Sequence, residues 1–109
     1  MDIRQLTEEM NRFVTAKGWY EPGTPRPQTP RNLAISLNLE SAEILEHFQW
    51  SEESKDTQGL SEELADVALY LLQLASVSKI DLEQAILQKL QKNYSRNWDG
   101  NPSHEEGKE

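Results

Sequence analysis

Apolar positions recur along this chain at helical spacing, and no stretch alternates as a half-buried strand would. Ile3, Leu6, Met10, Phe13 and Val14 predict a helix over residues 2–17, with Gly18 as its stop. The following GWYEPGTPRPQTP holds four of the five prolines. Proline removes amide donors and biases its predecessor towards extended backbone, so 18–30 reads as an ordered or semi-ordered Pro-rich loop. Thr29 before Pro30 supplies an N-cap and a first-turn proline, opening a second helix that runs to about 49. The polar SEESKDTQG connects it to a third helix over about 61–78. Asp81, with Gln84 three residues on, has the spacing of a capping box and opens a fourth helix to about 97. Trp98 is expected to pack the end of that helix. The polar GNPSHEEGKE leaves 99–109 as a disordered tail. The pattern is all-α: one four-helix domain over residues 1–98.

The second helix breaks the usual rule. Amphipathic helices put carboxylates opposite the apolar stripe. Here Leu37, Ile44 and Phe48 form one flank, Ile35 and Leu39 a second, and Glu40, Glu43 and His47 fall between them. The third helix is apolar nearly all round, through Leu64, Val67, Leu69, Leu71, Leu72, Leu74 and Val77, and is expected to be largely buried. Even so, Glu63, Asp66 and Tyr70 share one of its faces. Two neighbouring helices therefore each carry an acid pair at i, i+3, a spacing that puts side chains side by side. Packed antiparallel, they would gather four carboxylates. Unpaired buried carboxylates are costly, and like charges add to the cost. Such a group most naturally holds a hard divalent cation, Mg²⁺ or Mn²⁺, since cysteine is absent and His47 is the only nitrogen close by. The bland alternative is that each E-x-x-E pair decorates a solvated face, and that Glu62 and Glu63 complement a helix dipole.

On the fourth helix Lys89, Asn93 and Arg96 continue the line of Leu82 and Ile86. They either face the acidic site or favour a helix C-terminus, where cations are stabilised anyway. Trp19, Tyr20 and Trp50 are faces on which a base could stack, although pattern alone favours ordinary core or interface packing for each. His47 suits either contact with a base or support of a neighbouring acid.

Composition narrows the partners. A net charge of −8 over 109 residues disfavours binding to a nucleic-acid backbone. No apolar run is long enough to span a bilayer, and MDIRQLTEEMNRF is too polar for a signal peptide, which predicts a cytoplasmic protein without a membrane partner. Hydrophobic residues make up 36%, little for a lone domain of this size, so a homodimer that can pair into a tetramer is expected.

Three stretches, PRNLAISLNLESAEILEHFQW, EELADVALYLLQLA and IDLEQAILQKLQKNYSRNW, resemble the MazG-like all-α nucleoside triphosphate pyrophosphohydrolases, and within them the short dCTP-pyrophosphatase-like branch. The resemblance implies a four-helix protomer of an oligomeric bundle. It implies Mg²⁺-dependent cleavage of a nucleoside triphosphate between its α and β phosphates, giving a monophosphate and pyrophosphate, and a role in cleaning the nucleotide pool. Carried over, Glu40, Glu43, Glu63 and Asp66 match the metal ligands; any of these four catalytic acids could serve as the general base, Glu43 being preferred. Tyr70, Lys89, Asn93 and Arg96 match positions that line the triphosphate pocket, and Trp50 matches an aromatic near the base; His47 joins the substrate-binding candidates from its place one turn past Glu43, not from the resemblance. Relatives often carry a tryptophan and then a histidine just before PRNL; here GTPRPQTPRNL puts Gln28 near the histidine position and Trp19 further away. Base preference is thus left open. The alternatives are a dUTPase-like or phosphoribosyl-ATP pyrophosphohydrolase specificity, or a non-catalytic helical module for dimerisation or protein interaction.

Overall fold

In a computed structural model, residues 1–96 are described, and they form four helices: α1 (Ile3–Ala16), α2 (Pro30–Glu46), α3 (Thr57–Val77) and α4 (Leu82–Tyr94). No strand occurs among the described residues. The expected tail at 99–109 and Trp98 lie outside them.

The helix boundaries follow local chemistry. Thr29 accepts from the Asn32 amide at 3.1 Å, with Pro30 in the first turn, as the sequence predicts. Asp81 accepts from the Gln84 amide at 3.1 Å. The complete reciprocal box forms instead at α1, where Asp2 accepts from the Gln5 amide and the Gln5 side chain accepts from the Asp2 amide. The third helix starts a turn earlier than its apolar pattern suggests. Asp56 caps it by accepting from the Gly59 amide at 2.9 Å. Gly59 suits this cap, because a Cβ there would meet the Asp56 carboxylate and displace the capping side chain. At the other end Lys79 takes a left-handed conformation, φ 61°, and the Ile80 amide reaches back to the Ala75 carbonyl at 2.9 Å. This is the hydrogen-bonded stop usually made with glycine. The second helix ends at Glu46 and the fourth at Tyr94, each about three residues short of the sequence-based boundary.

The most extensive packing is α2 on α3; α1 packs on α3, and α4 touches α1 and α3 but not α2. His47, just past the end of α2, bonds Glu63 near the start of α3, while Gln28, just before α2, bonds Gln73 towards the end of α3. These two links fix α2 and α3 as antiparallel. Met10 and Val14 of α1 join Leu72 in the core, with Ile3, Trp19 and Leu82 packed around them. The third helix is not largely buried as its composition predicts. Leu64, Leu69 and Leu71 are 41–52% exposed, because α1 and α2 cover only part of its circumference. No helix among the described residues is long and apolar enough to cross a membrane.

Candidate active site

Helix α2 aims Glu40 and Glu43 at α3, which answers with Glu63 and Asp66. The effect is legible at Glu40. Its carboxyl is pushed above the usual carboxylate range, first by burial and then by Glu43, Asp66 and Glu63. All four acids thus share one electrostatic field. They do not close into a ready-made metal cage: among the described residues no three histidine, aspartate or glutamate side chains are placed to ligate one ion. Glu63 is turned instead towards a neighbour.

That neighbour is His47. Its Nε2 lies 2.7 Å from Glu63 Oε1, and its Nδ1 lies 3.1 Å from Ser54 Oγ. A carboxylate only accepts, so Nε2 carries a proton. The Asp56 amide donates to Ser54 Oγ at 3.2 Å, so this one hydroxyl bridges the start of α3 and the His47 ring. The polar connection before α3 thereby fixes the ring that fixes Glu63. Sequence reasoning saw His47 but not Ser54, whose only signal is a hydroxyl in a polar linker.

Asp66 and Tyr70 also line a cavity of about 640 Å³ between α1, α2, α3 and the Pro-rich loop. This is the size of small-molecule sites. Leu6, Met10, Phe13, Trp19, Leu33 and Leu69 make it apolar, while Glu9, Arg26, Gln28, Asn32, Ser36 and Gln73 add polar groups. Trp19 meets Phe13 edge-on at 5.7 Å between centroids, and the Arg26 guanidinium lies over the Trp19 ring at 5.5 Å. A flat cation already resting on that ring marks it as a stacking surface.

A chain of hydrogen bonds anchors the loop here. Gln73 Nε2 donates to Gln28 Oε1 at 2.7 Å and to Tyr20 Oη at 3.4 Å. Tyr20 Oη donates to Asn11 Oδ1, and Asn11 Nδ2 donates to Ser76 Oγ at 3.0 Å. Gln73, Asn11 and Ser76 were not singled out from sequence. The available signal was one amide, Gln73, inside the apolar run LYLLQLA.

Other expected site residues stand apart. Trp50 is 90% exposed beyond the end of α2 and does not line the cavity. Lys89 and Asn93 line a shallow groove on α4 with Leu82, Ala85, Ile86 and Leu90, and neither they nor Arg96 line the main cavity.

In chemical terms the acids are a hard-oxygen donor set, suited to Mg²⁺ or Mn²⁺. Burial is the first cause of the raised Glu40 carboxyl, and a divalent cation would offset the like-charge part that adds to it, so the donor chemistry suits such an ion although the side chains are not placed to ligate one. The fold and site together define an all-α protein whose acid-bearing helix pair opens onto a nucleoside-sized cavity. The chain belongs to the MazG-like family, which matches residues 35–109. It is 35% identical over 104 residues to mouse dCTP pyrophosphatase 1, covering 87% of this chain and 56% of that protein. The human dCTP pyrophosphatase 1 is 34% identical over the same length and coverage. The chain thus spans about half the length of the curated relatives it matches. A crystal structure of a pyrophosphatase from Archaeoglobus fulgidus is also similar, with TM-score 0.65 and 35% identity over 83% of this chain and 86% of that one.

Proposed function

We propose that the chain is a nucleoside triphosphate pyrophosphohydrolase, cleaving a (d)NTP between the α and β phosphates to a (d)NMP and pyrophosphate. The observation that carries this reading is the continuity of acids and cavity: Asp66 belongs to both. The names of the relatives, dCTP pyrophosphatase and pyrophosphatase, support it. The nucleoside enters the cavity with its base towards Trp19, and the phosphates reach the acids. Glu40, Glu43, Glu63 and Asp66 would hold Mg²⁺, or Mn²⁺, which when bound offsets phosphate charge and acidifies water. Glu43, exposed on α2, takes the proton from the attacking water. His47 holds Glu63 in position.

Lys89, Asn93 and Arg96 are assigned to the triphosphate. Because α4 does not pack on α2, we assign their approach to the acids, and that of Trp50, to a homodimer that can pair into a tetramer. The open apolar side chains Leu39, Leu45, Leu64 and Leu71 of α2 and α3 supply a surface for it. The deciding experiment is pyrophosphate release from a panel of dNTPs and NTPs with Mg²⁺, Mn²⁺ or EDTA. Turnover of at least one nucleotide with metal and none in EDTA is expected. Full turnover in EDTA, or no turnover of any nucleotide, overturns the reading. Light scattering at micromolar concentration tests the assembly, and a monomer mass there would refute it.

A further inference from the structure

Gln73 is a neutral amide that is only 4% exposed, in an otherwise apolar helix run. A buried amide needs partners at both ends, and a missing one costs free energy. The two ends of an amide have nearly the same shape, but here a backbone group decides between them. Gln28 Nε2 faces the Arg26 carbonyl at 2.6 Å. A carbonyl can only accept, so this end of Gln28 must be its NH₂. Its other end, Oε1, can only accept, so Gln73 must present its own NH₂ to Gln28. The Gln73 NH₂ is then spent on Gln28 and Tyr20, and Tyr20 passes its proton on to Asn11. One backbone carbonyl thus sets the polarity of the whole chain of bonds. What remains is Gln73 Oε1. No donor among the described residues engages it, and Gln73 lines the cavity.

Its place along α3 gives that acceptor a meaning. Asp66, Tyr70 and Gln73 fall on one helical line at i, i+4 and i+7, and all three line the cavity. Seven residues of helix span about 10 Å, a distance suited to a nucleoside lying along α3 with its phosphate end at Asp66. Its base edge then meets Gln73. We propose that Gln73, its amide locked in one orientation through Gln28, is the residue that selects the base, accepting through Oε1 from an exocyclic amine and rejecting an oxo group at the same position. This rests on the function proposed above and adds to it the reader and the device that holds the reader's polarity. The chemistry it recognises is an aminopyrimidine edge, as in cytosine against uracil. A carbonyl oxygen facing Oε1 would leave two acceptors opposed and the buried one unsatisfied.

The test compares binding of the α,β-imido analogues of dCTP and dUTP, which report affinity independently of turnover. Calorimetry on the full chain with Mg²⁺ should find the amino analogue favoured by at least about tenfold. Gln73→Met keeps the volume but removes both ends of the amide, and should bring the ratio close to one by weakening the dCTP analogue. Gln28→Leu keeps the Gln73 amide but releases its polarity, so the ratio should fall because the dUTP analogue gains. A Gln73 that merely anchors the loop predicts something else: both variants weaken both analogues equally and the ratio stays put. That result overturns the proposal, as does a parent protein that binds both analogues with one affinity. If neither analogue binds and no nucleotide is hydrolysed, the underlying function falls together with the proposal. If nucleotides are hydrolysed but the ratio does not respond to Gln73, only the proposal falls.

Discussion

The two ends of α3 solve opposite problems. Near its start, Glu63 and Asp66 meet Glu40 and Glu43, and the carboxyl of Glu40 is driven upward by burial and by its three neighbours. Near its other end, Gln73 and Ser76 meet Gln28, Tyr20 and Asn11 in neutral hydrogen bonds, and the leftover acceptor lies at the cavity wall. One end is held under like-charge repulsion; the other is close to electrostatic rest. The contrast teaches that stability and chemistry are segregated along a single helix. Charge that weakens the fold is confined to where a cation and phosphates would be handled, and shape is held by uncharged groups.

The sharpest way to break the comparison is Glu40→Gln. Turnover should fall more than about 100-fold, beyond what losing a merely supporting partner costs. Stability should move the other way. A carboxyl with a raised folded-state pKa makes the folded protein bind its proton more tightly than the unfolded chain. Its contribution is therefore fully present below its ordinary pKa and lost as pH rises through the raised value. Metal-free Glu40→Gln should accordingly melt higher than the parent at neutral pH, with the gap closing in acid; calorimetry across pH checks this.

Next in size is His47→Leu, which frees Glu63 from its 2.7 Å partner. The Mg²⁺ concentration for half-maximal activity should rise about tenfold to hundredfold, with helical circular dichroism unchanged. At the quiet end Tyr20→Phe cuts the link between Gln73 and Asn11. It should cost about 1 kcal/mol in urea unfolding and leave the Mg²⁺ requirement alone. The smallest effect is Lys79→Gly. Relieving a left-handed non-glycine residue should add up to about 1 kcal/mol, again without touching activity. A change in Mg²⁺ requirement in either of the last two would show that the ends are coupled.

The acid end was legible in the sequence because its information is periodic. Two i, i+3 pairs on adjacent helices stand out from apolar flanks, and the caps at Thr29 and Asp81 mark their own boundaries. The start of α3 was not, since Thr57, Gln58 and Gly59 read as linker until Asp56 is seen to cap them. The quiet end was also hidden. Residues 11, 20, 28, 73 and 76 obey no common period, and their bonds exist only once the loop has folded back over α3. Burial of α3 was overestimated because a helix apolar all round does not say how many neighbours a single chain can bring to it. The separation of Lys89 and Asn93 from the main cavity has the same origin: a helical line fixes a face, not the helix it will meet.

The span of the bonds around Tyr20 and Gln73 has a consequence for the order of assembly. His47 and Glu63 are 16 residues apart, so the hairpin of α2 and α3 closes a short loop. The contacts that bind α1 and the Pro-rich loop to α3 bridge 45, 53 and 65 residues. Closing them costs more chain entropy and comes later. The same hierarchy runs in reverse during native fluctuations. The α1 segment and loop can come away while the acid-bearing hairpin stays paired, so amides of α1 should exchange with solvent deuterium before those at the α2–α3 contact. Among the described residues, the apolar wall of the cavity should thus form after the acid-bearing hairpin and open before it, giving a ligand entry without disturbing the carboxylates.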